Sequence, residues 1–154
     1  MPAPSPLSPH EQIIGMAITF WQSRALTAAV ELELADLLSE GPLTVNELAL
    51  RANADSAMMS RLLRALETIG IFTQFSPGVF ANTPVADCLR KDAPDSQRST
   101  VLLQLSDAAG QYRAWGNFTN TVTTGRPAYE ETFNSHSGKC LRRIRRRMIS
   151  STTR

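Results

Sequence analysis

The stretch from Pro42 to Thr83 constrains the fold of this chain more than any other part of its sequence. Thr44 and Glu47 have the T-x-x-E spacing of a capping box, which starts one helix, and Asp55 can cap a second. Gly70 then ends the second helix as a C′ glycine. Two apolar runs, IFTQF and VFAN, flank the turn residues SPG, as in a β-hairpin. This order of helix, turn, helix and hairpin predicts a winged helix-turn-helix.

The segment before this module reads as a helix from about Glu11 to Ser39, and it has two apolar faces. Gly41-Pro42 ends it. One face follows the 4-3-4 rhythm of a seam between packed helices, and its candidate dimer-interface residues are Ile14, Ile18, Trp21, Ala25, Ala28 and Leu32. A helix that is apolar on two faces must be covered on two sides, which favours its own domain on one side and a second subunit on the other. The alternative is the central helix of a monomeric core.

These elements predict a mainly α fold class: a winged helix-turn-helix with a small two-stranded wing and flanking dimerisation helices. The expected segments are a disordered Pro-rich arm at residues 1–10, a winged-helix dimerisation domain at 11–134 and a basic, disordered tail at 135–154. Charge separates the last two. Residues 1–138 carry nine Lys or Arg and fourteen Asp or Glu, a net of −5, whereas residues 139–154 carry seven basic residues and no acid.

Composition bounds the compartment and the cofactors. The first ten residues lack the basic and apolar regions of a signal peptide, and no continuous run approaches the roughly 18 apolar residues of a membrane span. The cysteines, Cys88 and Cys140, have no CxxC spacing, and the chain has only two histidines. We therefore expect a protein of the reducing cytoplasm, with no metal site and no membrane partner.

Two further helices are predicted near residues 97–105 and 107–122. The second carries Tyr112, Trp115 and Phe118 at three-residue spacing. Such an aromatic stripe can line a ligand pocket, but it is more often part of a core, and the core interpretation is favoured here.

Neither DNA reading nor catalysis has a convincing set of residues. The outward face of the second helix of the turn motif has Arg61 and Arg64, but Asp55 and Glu67 lie near them and offset their charge. The wing tip, SPG, has no Lys or Arg. An acidic body would be repelled by DNA. The sequence has no nucleophile elbow, zinc-protease motif, P-loop or dinucleotide fingerprint. We therefore name no catalytic residue and no specific nucleic-acid partner.

The order of four segments nevertheless resembles a known family. These segments are FWQSRALTAAVELELADLL, GPLTVNELALRANADSAMMSRLLRALETIGIF, GVFANTPVADCLR and YRAWGNFTNTVTTGRPAYEETF. Together they are similar to the N-terminal dimerisation domain of the small-molecule O-methyltransferases, over roughly Phe20 to Phe133. The group includes caffeate, acetylserotonin and hydroxyneurosporene methyltransferases.

The resemblance implies a homodimer with intertwined N-terminal helices, in which the winged-helix layout serves association. It also implies that a C-terminal domain binds S-adenosylmethionine (SAM) and supplies a catalytic histidine, while the N-terminal domain covers the pocket of the small-molecule acceptor. This chain itself is then expected to bind no cofactor. Counted by spacing from Trp115, itself a candidate substrate-binding residue, the positions that resemble pocket-lining ones are Leu105 and Ser106. Phe20 and Trp21 resemble residues near the partner's site.

The final segment, SHSGKCLRRIRRRMISSTTR, departs from the family pattern. It abandons the hydrophobic rhythm and the charge balance together, which suggests a truncated or frameshifted product without methyl-transfer activity of its own. Two alternatives remain beside this interpretation: a winged-helix transcriptional regulator, and a stand-alone module that pairs with itself or with a full-length homologue.

Overall fold

A computed structural model of the chain describes residues 7–106 and 111–133. Within them the helices are α1 (Pro9–Ile18), α2 (Phe20–Glu31), α3 (Leu34–Leu37), α4 (Val45–Arg51), α5 (Ser56–Thr68), α6 (Pro84–Asp87), α7 (Arg98–Leu105), α8 (Gln111–Trp115), α9 (Phe118–Thr124) and α10 (Ala128–Phe133). The strands are β1 (Leu43–Thr44), β2 (Phe72–Ser76) and β3 (Val79–Asn82). The mainly α class is thus confirmed. The basic tail and most of the predicted arm lie outside the described residues.

The first helix begins inside the segment that was expected to be disordered. Ser8 and Glu11 form a capping box, in which the Glu11 amide donates to Ser8 Oγ at 3.3 Å and the Ser8 amide donates to Glu11 Oε2 at 2.8 Å. Pro9 follows at the first helical position, where its missing N–H has no cost. Residues 9 and 10, which the prediction placed in the arm, therefore belong to α1.

The long N-terminal helix predicted from Glu11 to Ser39 is divided into α1, α2 and α3. The first break is at Thr19, whose hydroxyl donates to the Gly15 carbonyl at 2.6 Å. Such back-bonding to residue i−4 often bends helices. The second break is at Glu33, which has a left-handed backbone with φ of 58°. The backbone at Thr19 stays right-handed, with φ of −61° and ψ of −19°, so this break is local, whereas the left-handed Glu33 separates α3 from α2.

The helix-turn-helix has the local chemistry that its sequence predicts. The Thr44–Glu47 capping box starts α4, with the Glu47 amide 3.2 Å from Thr44 Oγ1 and the Thr44 amide 2.8 Å from Glu47 Oε2. Asn53 makes the turn with a positive φ of 50°, which asparagine tolerates better than most residues. Asp55 caps α5 through the Met58 amide at 2.8 Å.

The buried face of α5 is rotated from the predicted one. The apolar spacing of this helix predicts an inner face made of Met58, Leu62, Ala65, Leu66 and Ile69, with Met59 and Leu63 alongside. In the structure Met59, Leu63 and Leu66 are buried, whereas Met58 is 51% exposed. Leucine and methionine occur on both sides of this helix, so apolar identity alone did not decide which side faces the core.

The wing is a hairpin with an additional strand. β2 and β3 pair antiparallel, as predicted, around Gly78, whose φ of 75° favours glycine. β1 pairs with the other edge of β3, Leu43 opposite Phe80, so the sheet has the order β1-β3-β2. The predicted two-stranded wing is thus a three-stranded sheet, because a strand of two residues leaves no alternating pattern in the sequence.

One core joins these elements. Its largest fully buried side chains come from both the helices and the sheet: Phe72, Phe80, Leu34, Leu48, Met59, Leu63, Leu66 and Val30. Helix α2 packs against α5 on this core and against α7 beyond it. At the start of α7, Arg98 Nη1 donates to the Val30 carbonyl at 2.9 Å, and Arg98 Nη2 lies 3.3 Å from Glu33 Oε1. Helix α7 is thereby held along α2.

The segment Pro9–Glu31 also meets a length and composition test for crossing a membrane. Its best 18-residue window has a mean hydropathy of 1.2 and is 17% buried. The sequence lacks a continuous apolar run of that length, but many small apolar residues offset its few polar ones. The core helix of a soluble protein passes the same test, so this property does not separate a membrane segment from a helix that packs on protein.

Candidate functional site

Helix α1 exposes its apolar side chains. No residue of α1 is buried, and Ile14 and Ile18, from the predicted seam, are 46% and 53% exposed. Phe20, at the start of α2, is 64% exposed. Neighbouring apolar residues on single helices are ordinarily covered by packing. Large exposed apolar patches are a common feature of interaction surfaces.

The remainder of the predicted seam is partly covered by the chain's own fold. Trp21, Ala25, Ala28 and Leu32 are half-buried. Ala25 and Leu32 pack against the hydrophobic core of the same chain. The exposure of the seam residues therefore differs between α1 and α2. The α1 end of the seam is open, and its α2 end is shared between the core and the surface.

An open surface pocket of about 420 Å³, called the cavity below, lies among α7, α8, α9 and α10. Its wall is formed by Gln104, Gln111, Ala114, Trp115, Phe118, Thr121, Ala128 and Tyr129. Trp115 and Phe118 pack on each other with ring centroids 5.2 Å apart at 51°. The volume lies in the range of small-molecule sites.

The aromatic stripe is not core, contrary to the interpretation favoured from sequence. Trp115 is 66% exposed and Phe118 is 49% exposed. The helix predicted over residues 107–122 is interrupted after Trp115, so that the two rings belong to α8 and α9. Its first four residues lie outside the described part of the chain. The rings border the cavity instead of filling the interior.

The cavity wall combines aromatic faces with a few polar groups. The amides of Gln104 and Gln111 and the hydroxyls of Thr121 and Tyr129 belong to it. Thr121 Oγ1 is buried and has no hydrogen-bond partner among the described residues. A buried polar atom in that position favours a ligand that can bond to it. Such a wall can stack a planar ring and orient it through hydrogen bonds.

Of the five predicted substrate-binding residues, only Trp115 belongs to this wall as the described residues form it. Leu105 and Ser106 lie at the end of α7, directly after Gln104, and Ser106 is only 5% exposed. Phe20 and Trp21 lie at the start of α2. The sequence reasoning missed Thr121, Ala128 and Tyr129, and no spacing signal marks them, because they lie on separate short helices, α9 and α10, whose packing beside Trp115 is set by the turns between them.

Helix α2 contacts both segments that border this cavity through Arg24. Its Nη1 donates to the Leu105 carbonyl at 3.2 Å. Its guanidinium carbon lies 5.0 Å from the centre of the Tyr112 ring, which is a cation–π distance. Tyr112 is on α8, one helical turn before Trp115.

The perturbed acidic groups belong to helix caps. A hydrogen bond from the Thr44 side chain, and then one from its backbone, lower the pKa of Glu47 below its ordinary value. The same pair of bonds from Ser8 lowers the pKa of Glu11. A hydrogen bond from Arg90 lowers the pKa of Asp92. These shifts arise from local cap and loop contacts, and they do not mark an acid–base pair.

The described residues form no SAM site of the nucleotide-binding type. A SAM site of the nucleotide-binding type follows a parallel strand with a glycine-rich turn into a helix. The described sheet is antiparallel, and its positive-φ glycine, Gly78, lies at a hairpin tip. Within residues 7–106 and 111–133 no three His, Cys, Asp or Glu side chains form a metal-binding group.

Known proteins share this architecture. A phenazine O-methyltransferase, PhzM, of Lysobacter antibioticus is 35% identical over 123 residues, which cover 80% of this chain and 35% of that protein. The crystal structure of LaPhzM superposes with a TM-score of 0.84 at 30% identity, covering 95% of this chain and 44% of that one. Human N-acetylserotonin methyltransferase, solved in complex with SAM, gives a TM-score of 0.75 at 27% identity over 88% of this chain and 40% of its own.

This chain spans about a third of the length of curated relatives that it matches. The family model for the O-methyltransferase dimerisation domain matches residues 15–92, slightly more than half of the sequence. That range begins in α1 and includes the whole helix-turn-helix and wing. The chain therefore belongs to the O-methyltransferase dimerisation-domain family.

Proposed function

We propose that this chain self-associates through α1 and the adjoining face of α2, and that it covers the acceptor pocket of a SAM-dependent O-methyltransferase. The partner is a second copy of the chain or a full-length homologue. The proposed seam is the predicted one, from Ile14 and Ile18 through Trp21 to Leu32. The compartment that we propose is the cytoplasm.

The observation that carries the association is the open apolar end of this seam. Ile14, Ile18 and Phe20 are about half exposed or more in a chain whose family is defined by dimerisation. Covering three such side chains removes apolar area from water, and each fully buried one contributes about 1.5–3 kcal/mol before the costs of association. Helix α1 has no other cover among the described residues.

Sedimentation velocity tests this proposal directly. The chain is expected to sediment as a dimer at micromolar concentration and to dissociate on dilution. A single monomeric species across the whole concentration range would refute self-association. Adding a full-length homologue to such a monomer would then show whether the seam requires that partner.

The proposal that this domain covers an acceptor pocket is based on the cavity beside Trp115. Its aromatic and amide wall suits a planar ring that carries a polar substituent. A relative named as a phenazine O-methyltransferase acts on a ring of that kind. We propose that Trp115 and Phe118 contact the acceptor ring, while Leu105 and Ser106 support the wall from the end of α7.

Methyl transfer and SAM binding are proposed to need residues other than those of this domain. The family model assigns residues 15–92 to dimerisation, and the described fold lacks a nucleotide-binding turn. Isothermal titration of the chain with SAM is expected to give no binding heat. Saturable binding would show that the domain has a cofactor site after all.

No specific reading of nucleic acid is proposed. Arg61 and Arg64 are exposed on α5, but Glu67 borders the same shallow surface. In a mobility-shift assay, any binding should vary steeply with salt and should not depend on DNA sequence. Sequence-selective binding that is lost in Arg61→Ala would instead support a transcriptional regulator.

A further inference from the structure

Helix α2 takes part in two regions at once. One face carries the half-buried seam residues Trp21, Ala25 and Ala28. Arg24, at the edge of that same face, reaches α7 and α8. No other described residue in α2 has both a hydrogen bond to the end of α7 and a ring contact with α8.

Each of the two residues that Arg24 contacts directly follows a residue of the cavity wall. Leu105 follows Gln104, and Tyr112 follows Gln111, and both glutamines belong to the cavity wall. Guanidinium is planar and can donate in its plane while a ring packs on its face. Arg24 can therefore hold α7 and α8 simultaneously, and neither contact can shift without changing the other.

We propose that Arg24 is a positioning residue, which sets the place of α8, and with it Trp115, relative to the dimerisation helix α2. The arrangement couples association to the shape of the cavity, because movement of α2 at the seam displaces Arg24 and both of its contacts. The coupling rests on the proposed self-association, and the ligand of the cavity rests on the proposed acceptor pocket. The position of Trp115 itself can be measured without a ligand.

Fluorine NMR of the chain labelled with 5-fluorotryptophan provides that measurement. The protein has two tryptophans, and Trp115→Phe assigns their two resonances. Arg24→Met keeps an apolar stem and removes the donors and the charge. We expect the Trp115 resonance to shift by more than its linewidth in Arg24→Met. Arg98→Met is the matched control, since Arg98 also bonds α7 to α2 but contacts neither Leu105 nor Tyr112, and it should leave Trp115 in place.

Arg24→Lys keeps the measurement decisive if Arg24→Met does not fold. Lysine retains the charge but not the planar fork, so it cannot bond Leu105 and lie flat on Tyr112 together. We expect a smaller shift of Trp115 in the same direction. An unchanged Trp115 resonance in whichever Arg24 variant folds, or an equal shift in Arg98→Met, would overturn the proposal. If an Arg24 variant loses dimerisation while Trp115 stays in place, the coupling is wrong. If the wild-type chain is already a monomer and Arg24→Met still shifts the Trp115 resonance, only the proposed association is refuted.

Discussion

Arg24 and Arg98 bind helices α2 and α7 to each other as a reciprocal pair. Arg24, in the first half of α2, donates to the carbonyl of Leu105 at the end of α7, at 3.2 Å. Arg98, at the start of α7, donates to the carbonyl of Val30 in the last turn of α2, at 2.9 Å. Helix ends carry unsatisfied carbonyls and partial negative charge, so an arginine from the neighbouring helix stabilises each end.

Removing Arg98 should destabilise the fold. Its side chain is only 18% exposed, and it also faces Glu33 and Asp36 at 3.3 and 3.7 Å. A hydrogen bond to a charged group of this kind contributes about 1.5–3 kcal/mol, so Arg98→Met should lower the free energy of unfolding by about 2 kcal/mol in urea. Arg126→Met, at an exposed turn, is the control and should change little. Equal effects would show that the link has no special role.

The burial on α5 predicts a contrast between two of its side chains. Leu63 is fully buried, and Leu63→Ala should cost about 2–5 kcal/mol through lost contacts and a residual cavity. Met58, 51% exposed, lies on the other side, and Met58→Ala should cost less than about 1 kcal/mol. Thermal or urea unfolding separates them. The reverse order would support the inner face that was predicted from sequence.

The exposed end of the seam predicts the effect of a single charge. Ile18→Glu places a carboxylate in the proposed interface, where an unpaired buried charge costs several kcal/mol. It should convert the dimer to a monomer in sedimentation velocity. Leu50→Glu is matched in chemistry and lies on α4, 83% exposed and outside the seam, so it should remain dimeric.

Ala25→Glu should also break the dimer, although with a second consequence. Ala25 packs on the chain's own core as well as on the seam, so this variant should lower the melting temperature in addition to the assembly state. A dimer that survives both Ile18→Glu and Ala25→Glu would locate the interface elsewhere.

The Thr44–Glu47 capping box predicts a pH dependence. Its hydrogen bonds lower the pKa of Glu47 in the folded chain below the ordinary value of 4.5. A carboxylate with a lowered folded pKa stabilises the fold above its unfolded pKa, and this stabilisation is lost as the pH falls through the folded one. The melting temperature should therefore fall below about pH 4.5. Glu47→Gln retains the cap geometry but cannot titrate. Its melting temperature should therefore depend less steeply on pH over that range. Identical slopes would exclude this contribution.

The cavity predicts binding of a planar probe. Titration with 1-hydroxyphenazine should quench the fluorescence of Trp115. Binding of the same probe to Trp115→Ala, measured by calorimetry, should be about fivefold weaker or more because an aromatic contact is lost. Phe75→Ala removes another aromatic ring, 72% exposed on β2, and should leave the affinity unchanged. Equal affinity in all three proteins would remove the cavity as an acceptor site.

Local chemistry allowed part of this structure to be predicted. The caps at Thr44 and Asp55 each depend on a side chain and an amide three residues ahead, and both form where the sequence places them. The hairpin around Gly78 likewise depends on neighbours in the chain. The same local order carries the resemblance to O-methyltransferase dimerisation domains, which the family match confirms.

The sequence by itself therefore determined the winged-helix module, its caps and its family. Only the tertiary structure decided that Leu63 is buried and Met58 is not, that β1 joins the sheet, and that Trp115 borders a cavity. The physical reason is the separation along the chain between the residues that interact. Capping and turns are set by residues three or four positions apart, whereas burial depends on which distant elements pack together, such as Arg24 with Leu105 and Tyr112. An apolar pattern shows that a face must be covered, and only packing shows what covers it.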